Sequence, residues 1–293
     1  MDNDQALARI KALPLWRGDI RVEPLAGGRT NLNFKVDDGQ AMYVVRFGED
    51  IPEHQLLRFN ELAASRAAHA AGLSPAVLHA EDGLTVIDFI DGKTLGEADV
   101  GVSDMLERIV PLVRTCHHEI PKHFRGPSLI FWVFHVIRDY AATMEERGSS
   151  YSASLPEYLS ITEKLETASG PFDIVFGHND LMAANFLDDG MRLWLIDWDY
   201  AGFNSPLFDL GGLASNNLLS EAQEAHMLEL YFEAPVNGDL LRRYHSMKCA
   251  SLLRETMWSM VSELTSTLDI DYAAYTSENL GRFRRAYDNY LQS

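Results

Sequence analysis

Apolar positions along this chain change period more than once. Over residues 6–16 they recur at helical spacing and predict a leading helix that ends near Pro14. From Ile20 the period shortens. Residues 20–25, 32–36 and 42–47 read as three strands separated by Gly27-Gly28 and by Asp37-Asp38-Gly39-Gln40, which predicts an antiparallel meander. A helix is expected over 53–71, with Leu56, Leu57, Leu62, Ala63 and Ala67 on overlapping faces and Gly72 as its stop. Short strand-like runs at 76–80 and 84–88 follow, then Phe89-Ile90-Asp91-Gly92.

Beyond Gly92 the pattern is mostly helical. Helices are predicted over 104–117 and 130–147, and another after Ser154-x-x-Glu157, which has capping-box spacing, ending near Gly170-Pro171. Further helices are expected over 206–218, 221–232 with Ser220 and Gln223 as a second capping box, 239–266 and 276–291. Between them, Leu193–Ile196 is an apolar run of buried-strand type, and the turn Asp188-Asp189-Gly190 would pair Phe186-Leu187 with 192–196 as a hairpin. The reading is α+β: an antiparallel-sheet lobe over 1–91 and a mainly helical lobe over 92–293, around one cleft.

That hairpin carries the chemistry. His178-Asn179-Asp180-Leu181-Met182-Ala183-Ala184-Asn185 precedes it, and Leu195-Ile196-Asp197-Trp198-Asp199 ends it. Phosphoryl transfer needs a carboxylate near the attacking hydroxyl and further oxygen ligands for Mg²⁺, because the metal neutralises charge spread over nucleotide phosphates. Asp180, Asn185 and Asp197 are of the right types for that set. The alternative is a polar turn and strand whose carboxylates merely face water. The Gly27-Gly28-Arg29-Thr30-Asn31 turn adds weight, since glycines let backbone N–H groups approach phosphate oxygens; alone, it is equally a plain hairpin turn.

The pattern His-x-Asp-x4-Asn followed by Ile-Asp-Trp-Asp resembles the choline/ethanolamine kinase and aminoglycoside phosphotransferase group, distant relatives of protein kinases. The resemblance implies a bilobal protein-kinase-like fold that uses ATP and Mg²⁺. It implies Asp180 as catalytic base, Asn185 and Asp197 as Mg²⁺ ligands, His178 as a structural member of the loop and Asp209 as its support. Gly27, Gly28, Thr30 and Asn31 would cover the nucleotide, and Arg46 at the end of the third strand would contact its phosphates, paired with Glu61 of Arg58-x-x-Glu61. Arg46 read as a solvated strand-end residue, and Glu61 on a solvated helix face, are the plainer alternatives. The adenine edge would meet backbone near Asp88 and Ile90. His-Asn-Asp and Asp-Trp-Asp stand where protein kinases carry His-Arg-Asp and Asp-Phe-Gly, which argues for a small-molecule acceptor.

For the acceptor, Trp258, Tyr272 and Tyr275 resemble an aromatic choline box, with Asp199 close to metal or substrate. Glu255 stands where animal-type choline kinases place a second Trp, and a carboxylate also suits a primary amine. Choline is therefore expected first, with ethanolamine, an aminoglycoside, homoserine, thiamine or a sugar as alternatives. Core packing explains the same aromatics equally simply. Cys116-His117-His118 reads as a satisfied helix end rather than a metal site.

Composition narrows the partners. With 293 residues and 46% hydrophobic content, the chain can bury a full core. Its 25 basic and 43 acidic residues leave −18, disfavouring nucleic acid or an anionic membrane surface and tolerating a cationic acceptor. Two cysteines without Cys-x-x-Cys spacing and no long apolar window predict a cytoplasmic protein without membrane insertion.

Overall fold

The computed structural model describes residues 3–25, 31–266, 268 and 270–292. Gly27, Gly28 and Thr30 lie outside the described residues. After α1 (Asn3–Ala12) come β1 (Arg21–Leu25), β2 (Leu32–Asp37) and β3 (Met42–Phe47). With β4 (Val77–Glu81) and β5 (Leu84–Asp88) they form one antiparallel sheet in the order β1-β2-β3-β5-β4. The period of two decides which face is buried: Phe34, Val36, Tyr43, Val45, Phe47, Leu84 and Val86 point into one apolar cluster that Ala6 and Ile10 of α1 complete. Asp38 and Gly39 make the β2–β3 turn. The Asp38 carboxylate accepts the N–H groups of Gln40 and Ala41, and Gly39 takes a φ of +81°.

A second, larger core is helical. It gathers α4 (Ser103–His123), α5 (Val133–Glu146), α6 (Leu155–Ser169), α7 (Pro206–Asn216), α8 (Glu221–Phe232), α9 (Gly238–Thr265) and α10 (Tyr272–Gln292). At its centre runs α9, a 28-residue helix buried on nearly every side, as expected of a helix apolar all round its middle. Ala64, Ala67 and Ala68 of α2 (Arg58–Ala70) pack into this core rather than the sheet's, so α2 ties the two together. Among the described residues no helix is long and apolar enough to cross a membrane.

Several expected bounds move. The helix expected from residue 53 starts at Arg58, because Pro52–His54 form a 3₁₀ turn, Gln55 turns left-handed at φ 57°, and the Asp50 carboxylate caps the N–H of Arg58. Ser154 does not cap α6; its side chain makes no cap bond, and a 3₁₀ turn over Ser152–Ser154 leads directly into the helix. The box at Ser220 and Gln223 does form. Four short elements were not expected: β6 (Lys93–Thr94), α3 (Glu97–Val100), β7 (Val175–Gly177) and β10 (Gly202–Asn204). Two and three residues of strand are too few to show a period.

Candidate active site

β7 (Val175–Gly177) pairs antiparallel with β10 and delivers the loop from His178 to Asn185. The loop hangs from Asp209. Ser205 caps α7 by accepting the N–H of Leu207, which sets Asp209 in the helix's first turn with its carboxylate buried. Its Oδ2 accepts the His178 N–H at 2.8 Å and its Oδ1 the Asn179 N–H at 2.7 Å. His117 of α4 lies 2.9 Å from Oδ2 through Nε2, and its Nδ1 is 2.6 Å from the Tyr231 hydroxyl of α8. His117 is thus satisfied, as expected, but within α4 rather than at a helix end, because the helix runs on to His123.

Asn179 braces the loop's other side. Held at φ 63°, it donates its amide to the carbonyls of Tyr200 (2.9 Å) and Gly202 (3.2 Å) and accepts from Asn204 (3.1 Å). Gly177 has to lack a side chain here, since a Cβ would stand 2.6 Å from the Asn179 amide oxygen. His178 Nε2 lies 2.9 Å from the Ile196 carbonyl, linking the loop to the segment that carries Asp197.

The hairpin of β8 (Phe186–Asp188) and β9 (Leu193–Leu195) brings the remaining groups together. Its register sets Phe186 opposite Leu195, and the Ile196 N–H donates to the Asn185 carbonyl at 3.0 Å. Asn185 also donates its side-chain amide to the Asp180 carbonyl at 2.8 Å. Asp180, Asn185 and Asp197 therefore gather at one end of the hairpin, and Asp197 leaves it in a left-handed conformation at φ 69°. For a side chain with a Cβ that backbone is uncommon and costs of order 1 kcal/mol.

Across the cleft, β3 and α2 meet these carboxylates with two arginines. Arg46 lies 2.7 Å from Asp197, 3.3 Å from Glu61 and 3.5 Å from Asp199. Arg58 lies 2.7 Å from Glu61 and 3.0 Å from Asp199, and Asn31 donates to Asp199 at 3.3 Å. Gly48 leaves room for Arg58, whose guanidinium would be 2.6 Å from a Cβ there. Burial would raise the pKa of Asp197, but the Arg46 guanidinium outweighs it and holds the group below the usual range. Asp199 goes the other way, pushed well up by burial and then by Asp197. Oxygens of Glu61, Asp197 and Asp199 lie within 4.8 Å of one another. Hard, closely spaced oxygen donors fit Mg²⁺.

Toward α9 the surroundings of Asp180 change. Burial raises its pKa to about 7, with Arg254 pulling it down and Glu255 pushing it further up. Arg254 is only 4% exposed; its Nη1 is 2.9 Å from Glu255 Oε2, and its guanidinium lies 4.4 Å from the Tyr200 ring centroid. Burial works against that charge, but Tyr140, Glu255, Tyr200 and Asp180 outweigh it and hold the pKa above the usual arginine range. Glu255 Oε1 accepts the Tyr275 hydroxyl at 2.6 Å. Trp258 donates Nε1 to the Tyr200 hydroxyl at 2.9 Å and meets Tyr272 and Tyr275 edge-on, at 6.0 and 6.3 Å.

The expected residues thus fall into two groups. Arg46, Glu61, Asn31, Asp197 and Asp199 make one cluster, and Glu255, Trp258, Tyr272 and Tyr275 another, with Asp180 between. Asp199, expected close to metal or substrate, lies in the first cluster, where Arg46 and Arg58 both hold it. Asp88 closes β5 opposite Tyr43, with Ile90 just beyond. Sequence reasoning passed over Asn179, Arg58 and Arg254. Arg254 had a signal: it stands four residues before Trp258, on the same helical face.

Five-stranded sheet, helical core and a carboxylate–amide–carboxylate set on a loop and hairpin between them define a small-molecule kinase of protein-kinase-like fold. A family profile described as choline/ethanolamine kinase matches residues 22–284, and the chain belongs to that family. Protein LicA of Haemophilus influenzae is 28% identical over 215 residues, covering 70% of this chain and 61% of that protein. The probable ethanolamine kinase A of Dictyostelium discoideum is 26% identical over 311 residues, covering 93% and 87%. The crystal structure of a choline/ethanolamine kinase family protein from Mesorhizobium loti superposes with a TM-score of 0.80 at 27% identity, over 100% of this chain and 96% of that one.

Proposed function

We propose that this protein transfers the γ-phosphoryl group of ATP to the hydroxyl of a small amino alcohol. The observation that carries the reading is the meeting of Asp180, Asn185 and Asp197 at one end of the β8–β9 hairpin, opposite Arg46. Asn185 and Asp197, with Asp199 nearby, would hold Mg²⁺, which draws negative charge off the phosphates. Arg46 would contact phosphate oxygens with its planar fork, and the turn containing Gly27, Gly28, Thr30 and Asn31 would cover them. The adenine edge would meet the backbone at Asp88 and Ile90.

Asp180 accepts the hydroxyl proton as the new O–P bond forms and the bridging bond to ADP breaks. Burial beside Arg254 leaves this carboxyl near neutrality, where a base both exists in its charged form and takes a proton readily. The acceptor's ammonium group would lie toward Glu255, Trp258 and Tyr275, within a chain of net −18. Choline is favoured by the edge-on ring cluster of Trp258, Tyr272 and Tyr275. Ethanolamine is favoured by the Glu255 carboxylate. An ADP-release assay with choline, ethanolamine, homoserine, thiamine, a sugar and an aminoglycoside tests the reading. Turnover with an amino alcohol supports it; turnover with one of the others alone refutes it.

A further inference from the structure

The acceptor wall contains a resident cation. The Arg254 guanidinium covers the Tyr200 ring at 4.4 Å, so the face that could attract a ligand's onium group already holds a positive charge. Trp258 and Tyr272 have little face left to offer, at 7% and 6% exposure. What remain are the half-buried Tyr275 ring, itself edge-on to Trp258, and the Glu255 carboxylate, fixed from both ends by Arg254 at 2.9 Å and by the Tyr275 hydroxyl at 2.6 Å. A carboxylate has about four acceptor sites. Two are taken here, and a head group with N–H bonds can use the others, whereas a quaternary ammonium has no N–H to give.

We propose that the Arg254–Glu255–Tyr275 clamp selects acceptors with a primary ammonium group over quaternary ones, and that Arg254 is the positioning residue that sets this preference. The proposal rests on the amino-alcohol reading above and narrows it to one substrate class. Arg254 acts on the substrate through Glu255: it orients the carboxylate and denies the Tyr200 face to a methylated head. Its Nε and Nη2 have no hydrogen-bond partner and are closed to solvent, so hydrogen bonding alone does not explain its place in the core.

The test is a series in which methyl groups replace N–H bonds: ethanolamine, its N-methyl and N,N-dimethyl derivatives, and choline, each with ATP and the full-length enzyme. Expected is a stepwise fall in kcat/KM of about tenfold or more from ethanolamine to choline, carried chiefly by KM, since a hydrogen bond to the head group is made in ground and transition states alike. Tyr275→Phe, at a half-buried position, should shrink that ratio several-fold, and Arg254→Met should shrink it further. A merely structural role for Arg254 would lower both activities in proportion. Equal or better use of choline by the unaltered enzyme overturns the proposal, as does a ratio that neither substitution moves. If no member of the series is phosphorylated, the amino-alcohol reading itself fails and the clamp's role falls with it.

Discussion

Asp209 and Arg254 are both ionisable residues buried beside the catalytic loop, yet their surroundings are built differently. Both Asp209 oxygens meet named partners, two backbone N–H groups and His117, and the histidine is in turn satisfied by Tyr231. Arg254 has one ion pair and two aromatic rings, Tyr200 and Phe131, and two of its nitrogens have no hydrogen-bond partner. A fully satisfied network stiffens what it holds, which suits a loop that has to present Asp180 at a fixed place. The Arg254 charge is held instead by Tyr140, Glu255, Tyr200 and Asp180, which together outweigh the cost of burial. The difference separates a region shaped for reaction geometry from one shaped for recognition.

The sharpest break of the comparison is at the group between the two regions. Asp180→Asn should lower turnover by ~10²–10⁴-fold, the range typical of an acid/base group, with the KM for ATP little changed in steady-state kinetics. Next comes the hub. Asp209→Ala leaves two buried N–H groups without acceptors and should cost about 2–4 kcal/mol in denaturant unfolding. Turnover should drop with it for every acceptor alike, unlike substitutions on α9.

A pH series sharpens the same contrast. Because burial raises the Asp180 carboxyl to about 7, kcat/KM should climb as pH rises through about 7, as the free enzyme's base ionises. Folded Asp180 prefers its proton, so its contribution to stability is full below its ordinary pKa near 3.8 and is lost as pH passes 7. Asp180→Asn should therefore gain stability over the parent on moving from pH 5 to pH 8.5, read as a growing difference in Tm. Trp258→Phe, which removes the bond to the Tyr200 hydroxyl and part of a buried ring, should cost about 1–3 kcal/mol and alter acceptor KM more than kcat. Smallest of all, Ser220→Ala, remote from both regions, should lose about 1 kcal/mol of stability without changing acceptor preference.

How legible each region was follows from how local it is. Asp180, Asn185 and Asp197 lie in two short stretches whose spacing is imposed by a single loop and hairpin, so the order of residues alone brings them near one another. The strands were legible for the same reason: a period of two shows within six residues. The sequence left Asp199 between metal and substrate because its partners Arg46 and Arg58 come from β3 and α2, and only tertiary packing brings them to it. Arg254 was passed over because its meaning depends on Tyr200 and Tyr140, which come from other elements and meet it only in space. Ser154 misled because capping-box spacing can occur without cap geometry.

The Glu255 clamp and the Asp209 hub are joined by packing as well as through the loop between them, because α7 lies directly against α9: a Cβ on Gly211 would stand 2.8 Å from Lys248. A change of side-chain volume on this stretch of α9 is therefore transmitted to α7 through close-packed atoms, with the Asp209 carboxylate within one turn of the contact.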